Sequence, residues 1–319
     1  MIAPKFRKQV ELLLDVLPFI AQEEVFALKG GTAINLFDRN MPRLSVDIDL
    51  VYTKLNDRRI ALQDIAAALK RIKEQIEGNL LEVRTQLRKQ GQGSEVKLIC
   101  NTPEAEIKIE VNTIIRGHVF PLRCCDITDI AEEEFERFVS MQILSREELY
   151  GGKICAALDR QHPRDLFDIF HLLQDGLTDD IRAGFILMLL SHPRPMHELL
   201  SPNMHDMHEV FTKQFTGMST FPFSYAMFES TRKQLVDTLS KTLTKTEKAF
   251  LLSFKTGIPD WKLFPISGID KLPAIQWKLL NIKKLKERNP LKHRVMTDAL
   301  YNALDYQSSS LSSSSASLS

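Results

Sequence analysis

The segment Leu44-Ser-Val-Asp-Ile-Asp-Leu-Val-Tyr52 alternates apolar and acidic residues with a period of two. That is the period of a β-strand with one buried and one open face. Val46, Ile48 and Leu50 point one way, and Asp47 and Asp49 point the other. Their Cα atoms would lie roughly 6.5 Å apart. Two carboxylates held that close repel unless a cation neutralises them. Taken alone, such a pair is more often the solvated face of a strand than a site.

A second strand repeats the logic. In Glu106-Ile-Lys-Ile-Glu-Val-Asn112, the residues Ile107, Ile109 and Val111 face one side, and Lys108, Glu110 and Asn112 the other. If both open faces line one side of a sheet, Glu110 becomes a third carboxylate beside Asp47 and Asp49. Otherwise it is an edge strand with a wet face. Three acids on two strands can hold two metal ions roughly 4 Å apart, an arrangement used for displacement at phosphorus. Oxygen-only donors favour Mg²⁺ or Mn²⁺ over zinc.

Gly30-Gly31-Thr32 precedes Ala33, Ile34, Leu36 and Phe37, a helix start, and Gly31 stands sixteen residues before Asp47. A glycine turn entering a helix offers backbone N–H groups to an anion, and the Thr32 hydroxyl adds a donor. A lone Gly-Gly is usually only a turn. Beside a carboxylate cluster it suits a nucleoside triphosphate. Further on, Lys153 could reach a triphosphate tail as a point charge. Asp165 and Asp168 share a helix face at a spacing of three. Ion pairs between Arg164 and these acids are the structural alternative.

The 319 residues carry 42 basic and 41 acidic side chains, net +1, so any nucleic-acid contact needs a local patch. Gln276 to Arg294 is one candidate, with Lys278, Lys283, Lys284, Lys286, Arg288, Lys292 and Arg294 against Glu287. It reads equally as a solvated basic helix. The four cysteines form no C-x-x-C pair, and no leader-like segment is seen, so a reduced cytoplasm is the expected compartment. The longest apolar run, Phe185 to Leu190, cannot span a membrane.

Periodicity predicts an α/β domain over 1–144, a helical domain over 145–306 carrying Lys153 and the Arg-Asp segment, and a disordered Ser-rich tail over 307–319. An N-terminal helix over Pro4 to Val25 is expected to break near Pro18. Asn56 is the expected cap of the helix that follows the Asp47 strand. Strands are expected at Leu80 to Leu87, Glu95 to Cys100 and Ala105 to Ile115, with a hairpin turn at Gly91-Gln92-Gly93. After about residue 125 only helices are expected, with capping boxes at Ser145/Glu148 and Thr244/Glu247.

Lys29-Gly-Gly-Thr-Ala-Ile-Asn-Leu36, Arg43-Leu-Ser-Val-Asp-Ile-Asp-Leu50, Ile107-Lys-Ile-Glu-Val-Asn112, Lys153 and Arg164-Asp-Leu-Phe-Asp-Ile169 follow one another over residues 28–172. In that order they resemble the AbiEii/AbiGii-type nucleotidyltransferase toxins, a branch of the DNA polymerase β-like superfamily. The resemblance implies an α+β nucleotidyltransferase fold, with a mixed sheet flanked by helices and then an all-helical C-terminal domain. It implies catalytic roles for Asp47, Asp49, Glu110, Lys153 and Asp168, with Mg²⁺ (or Mn²⁺) on Asp47, Asp49 and Glu110. It implies nucleotide contacts from Gly30, Gly31, Thr32, Lys153 and Asp165. Its activity would be transfer of a nucleotide from an NTP to an acceptor hydroxyl, on RNA such as a tRNA 3′ end. A cognate antitoxin encoded nearby and a role in phage defence come with it.

The alternatives are transfer to a protein or small molecule, or a catalytically silent nucleotide-binding regulator. A glycosyltransferase would need more chain before its D-x-D. A dehalogenase-type phosphatase would need a Thr shortly after the second acid, where Leu50, Val51 and Tyr52 stand.

Overall fold

A computed structural model of the chain describes residues 3–89 and 95–304. The Gly91-Gln92-Gly93 turn and the Ser-rich tail lie outside the described residues. In chain order the elements are α1 (Pro4–Ala21), β1 (Phe26–Lys29), α2 (Gly30–Thr32) running into a π-helical turn (Ala33–Asp38), β2 (Asp47–Tyr52) and α3 (Arg58–Asn79). Then come β3 (Arg84–Lys89), β4 (Glu95–Asn101), β5 (Glu106–Asn112), β6 (Arg123–Asp126), α4 (Asp129–Phe135) and β7 (Ser140–Ile143). Helices follow: α5 (Arg146–Arg160), α6 (Pro163–Asp175), α7 (Asp179–Ser191), α8 (Met196–Leu200), α9 (His208–Gln214), α10 (Tyr225–Thr242), α11 (Lys245–Lys255), α12 (Pro273–Arg288) and α13 (Pro290–Ala303).

The seven strands form one mixed sheet in the order β3-β4-β5-β2-β1-β7-β6. β2 and β5 run parallel at its centre, and β1 lies antiparallel to β2. α1 and α3 cover the face to which Ile48, Leu50, Ile107 and Ile109 point, and all four are buried. The opposite face is left for the polar side chains of β2 and β5. One continuous apolar core runs from Val10 to Leu304 through the sheet and the helices. Among the described residues no helix is long and apolar enough to cross a membrane.

Three local expectations are corrected. α1 runs unbroken through Pro18. That proline sits in the last turn with its ring exposed, and Leu17 and Ile20 beside it are fully buried. The single lost N–H bond is outweighed by the apolar face it leaves intact. The N-cap of α3 is Asp57, while Asn56 turns its amide onto the Tyr52 hydroxyl at 2.9 Å. β6 and β7 are strands in a region expected to be helical. They are four residues each, too short for alternation to stand out.

The helical layer begins at Ser145, which caps α5 by accepting from the Glu148 N–H. The box is only half made, because the Glu148 carboxyl turns away to the Val119 N–H at 3.2 Å. Thr244 and Glu247 complete theirs at α11. α5 and α7 cross at Gly151 and Gly184, where a Cβ on Gly184 would come within 2.0 Å of the Glu147 carbonyl oxygen. Gly151 therefore serves helix packing. Lys278 of the basic segment is also structural. Its ammonium donates to the carbonyls of Leu189 at 2.9 Å, His192 at 2.7 Å and Arg194 at 3.0 Å, closing the end of α7. Burial pushes that ammonium down to about 7.

Candidate active site

The register of β2 on β5 sets Asp49 directly beside Glu110 and Asp47 beside Lys108. Residues in register share a face, so the two acids of β2 and Glu110 open onto the same side. This pairing continues across five strands. Arg88 pairs with Lys97, Lys97 with Glu110, Glu110 with Asp49, and Asp49 with Lys29. A row of side chains thus crosses the open face with two carboxylates in its middle and cations on both flanks.

Three concavities meet over this row. A central one of about 240 Å³ is lined by Asp47, Asp49, Glu110, Lys153, Arg160 and Arg164 among others. A second, of about 290 Å³, reaches under α5 between Gly30, Gly31, Lys153 and Arg160, with apolar walls from Ile115, Leu144 and Met188. A third, of about 590 Å³, opens over β3, β4 and β5. Asp49 lines all three.

The glycine turn makes room for that carboxylate. Gly30 has φ +74°, and a Cβ there would stand 2.5 Å from Asp49 Oδ2. A Cβ on Gly31 would stand 2.7 Å from Arg43 Nη2 and 2.8 Å from Ser45 Oγ. Thr32, expected at the nucleotide, is fully buried. Its hydroxyl donates to the Asp47 carbonyl at 2.5 Å and so ties the turn to β2. Ser45, which the sequence did not single out, lines the central cleft instead, 3.0 Å from the Thr32 hydroxyl.

Lys153 is held from behind. Its ammonium donates to Asp165 Oδ1 and pairs with Asp168 Oδ2, each at 2.9 Å, and it is 6% exposed. Asp168 also takes Arg43 through Nε at 2.8 Å and Nη2 at 2.6 Å, and Asn35 Nδ2 at 3.1 Å. Asp165 takes Arg160 through Nε at 2.5 Å and Nη2 at 3.0 Å. Burial alone would raise both acids. The cations reverse that, Lys153 and Arg160 at Asp165, and Arg43 and Lys153 at Asp168, so both lie below the usual carboxylate range. Asp168 lies behind the cleft and does not line it, whereas Lys153 lines both the central and the α5 concavities. Arg43 and Asn35 were given no role in the sequence because their partner Asp168 is 125 and 133 residues away, whereas Arg160, which the sequence placed beside the Arg-Asp segment, pairs with Asp165 only five residues on. Arg164 pairs with Asp47 at 3.2 Å rather than with the acids of its own helix.

The donor set fits a hard divalent cation: carboxylate oxygens only, on one face, with Gly30 leaving space beside Asp49. As they stand, Asp47 is neutralised by Arg164 and Glu110 by Lys97. Among the described residues no three acidic, His or Cys side chains already converge as a metal cage. Binding would require the cation to displace one or both of these half-buried ion pairs, which still reach solvent and are individually weak.

Glu148 lines the α5 concavity at its buried end. The Val119 and Phe120 N–H groups face its carboxyl, yet among the described residues only Oε1 accepts a hydrogen bond and Oε2 has no partner. Burial outweighs these amides and pushes the carboxyl up to about 7. The fold therefore favours the protonated form. Stability from this group is full below the ordinary value of 4.5 and is lost as pH rises from there to about 7. Glu148→Gln is neutral at every pH. It should match the wild type at pH 4.5 and exceed it by about 3 kcal/mol at pH 8, read by urea denaturation at the two pH values. A wild type equally stable at both would refute the assignment.

The family described as nucleotidyl transferase AbiEii toxin, type IV toxin–antitoxin system, matches residues 11–281. Among solved structures, MenT4, a nucleotidyltransferase toxin from Mycobacterium tuberculosis H37Rv, is similar in fold. The two superpose with a TM-score of 0.57 at 16% sequence identity, over 85% of this chain and 91% of that one. No curated relative matches the sequence.

Proposed function

The chain belongs to the AbiEii nucleotidyltransferase toxin family of type IV toxin–antitoxin systems and is a nucleotidyltransferase, and on that premise we propose how its cleft works and on what. The donor is a nucleoside triphosphate and the acceptor a hydroxyl at an RNA 3′ end, tRNA first among candidates. The observation that carries this reading is the position of Asp49. It stands beside Glu110, over the glycine turn, where three concavities meet.

In this reading Asp47, Asp49 and Glu110 hold Mg²⁺ or Mn²⁺. When bound, the metal neutralises phosphate charge and lowers the pKa of the acceptor hydroxyl. The Gly30-Gly31 turn, Ser45, Lys153 and Arg160 hold the triphosphate, and the apolar walls of the α5 concavity take the nucleoside. Asp168 positions Lys153 and Arg43 from behind the cleft, and Asp165, which lines the central concavity, holds Lys153 and Arg160 against the donor. Arg164 moves from Asp47 to the phosphates as the donor binds. The acceptor hydroxyl gives its proton to solvent, its oxygen bonds to the α-phosphorus as the bond from α-phosphorus to the β-phosphate oxygen breaks, and pyrophosphate leaves. Catalysis is mainly positioning and electrostatics on groups fixed by the sheet and by a buried ion cluster.

The test is incubation of the purified protein with each α-³²P-labelled NTP, Mg²⁺ and total cellular RNA, beside Asp47→Ala/Asp49→Ala. Label on tRNA-sized RNA only with the intact acids supports the reading and identifies the nucleotide. Label on protein or on a small molecule replaces the acceptor. Nucleotide binding with no transfer to any of them points to a silent regulator.

A further inference from the structure

The concavity over β3, β4 and β5 has no task in holding the donor, yet it is the largest of the three that meet at Asp49, about 590 Å³. It shares only Lys29 and Asp49 with the α5 concavity, so the two approach the carboxylates from different sides. Its floor is basic. Arg88, Lys97 and Lys108 point into the same open face by register, and Lys89 joins them at the rim. Its only carboxylates among the described residues are Asp49 and Glu110, which the metal would neutralise. Arg88 to Glu110 is two strand spacings, roughly 10 Å, room for a terminal nucleotide or two.

We propose that this concavity is the acceptor channel: a single-stranded polynucleotide end lies across Arg88, Lys97 and Lys108 and delivers its terminal hydroxyl at Glu110 and Asp49. The inference rests on the RNA-acceptor reading above. Cations rising from adjacent strands at fixed spacing match a backbone of repeated phosphates. The lining offers few apolar anchors, as a peptide side chain would need. The channel also touches the chemistry. Lys97 is ion-paired with Glu110, so a phosphate that draws Lys97 away frees Glu110 for the metal. The basic helix α12 is thereby not the primary RNA contact, consistent with Lys278 being spent on α7.

The test measures binding without turnover. A 5′-fluorescein-labelled 12-nucleotide RNA with a free 3′ end is titrated by anisotropy against the full chain at several salt concentrations. Arg88 is exposed, so Arg88→Glu should fold as the wild type does. Arg88→Glu should weaken binding on the order of tenfold and lower the salt slope by about 0.7 per lost phosphate contact. In steady state it should raise KM for RNA and leave KM for the NTP unchanged, and Arg88→Lys should recover most of the affinity. Lys283→Glu/Lys284→Glu on α12 should bind as the wild type. The proposal is overturned if Arg88→Glu keeps wild-type affinity and slope while the α12 variant loses them, or if a poly-glutamate 12-mer competes as well as unlabelled RNA. A wild type that binds no RNA and labels another acceptor would instead refute the RNA-acceptor reading, and the channel with it.

Discussion

Asp49→Asn is expected to lower nucleotide transfer by about 10³-fold or more, roughly 4 kcal/mol of transition-state stabilisation, with no loss of folding stability. The substitution keeps the side-chain volume that fits against Gly30 and removes only the charge. No hydrogen bond within the described residues depends on that carboxylate, and its removal relieves repulsion from Asp47 and Glu110. A site acid that contributes nothing to the fold but everything to the reaction separates the two in one variant. Steady-state transfer at saturating NTP and urea denaturation on the same preparation read both. A variant retaining more than about a tenth of wild-type activity would remove Asp49 from the chemistry.

Asp168→Ala is expected to do the reverse and destabilise the protein by about 3–5 kcal/mol. Its carboxylate is 1% exposed and accepts from Arg43, Asn35 and Lys153, and Arg43 is itself 2% exposed. Removing one partner of a buried network leaves the others charged and dry, which costs more than the network contributes. Lys153 keeps Asp165, whereas among the described residues Arg43 keeps only the Leu44 carbonyl. Arg43→Met in an Asp168→Leu background should therefore restore a large part of the loss. The pH dependence follows the same sign. The native acids lie below the unfolded value of about 3.9, so their contribution is present above it and lost as pH falls through the native values. Wild-type stability should fall steeply below pH 4, and the Asp168→Leu/Arg43→Met protein should fall less.

The open face of the sheet was legible because alternation is a local property. Val46 to Tyr52 and Ile107 to Asn112 each declare which residues share a face, and strands cover Asp47–Tyr52 and Glu106–Asn112. That β2 and β5 are neighbours, parallel, with Asp49 opposite Glu110, is not local. It became an expectation only by assuming one sheet side, and the resemblance supplied the rest. Thr32 and Asp168 show the limit more sharply. Both have the chemistry of ligand contacts, yet one is turned onto the Asp47 carbonyl and the other onto Arg43, a partner 125 residues away. Spacing along the chain cannot distinguish a side chain that meets a ligand from one that holds its neighbour. Glu148 shows local rule and tertiary demand in conflict. The capping box asked its carboxyl back to Ser145, and the cavity took it to Val119.

At these carboxylates nucleotides pass from an NTP to a terminal RNA hydroxyl. This transfer is tested most directly by intact mass of a purified tRNA after incubation with the protein, Mg²⁺ and the NTP that labels RNA. An increase of one or more nucleoside monophosphate residues, matched by released pyrophosphate and absent both for Asp49→Asn and for periodate-oxidised tRNA, is the predicted result. Unchanged tRNA mass beside NTP consumption, or modification of tRNA whose 3′ end is blocked, would contradict it.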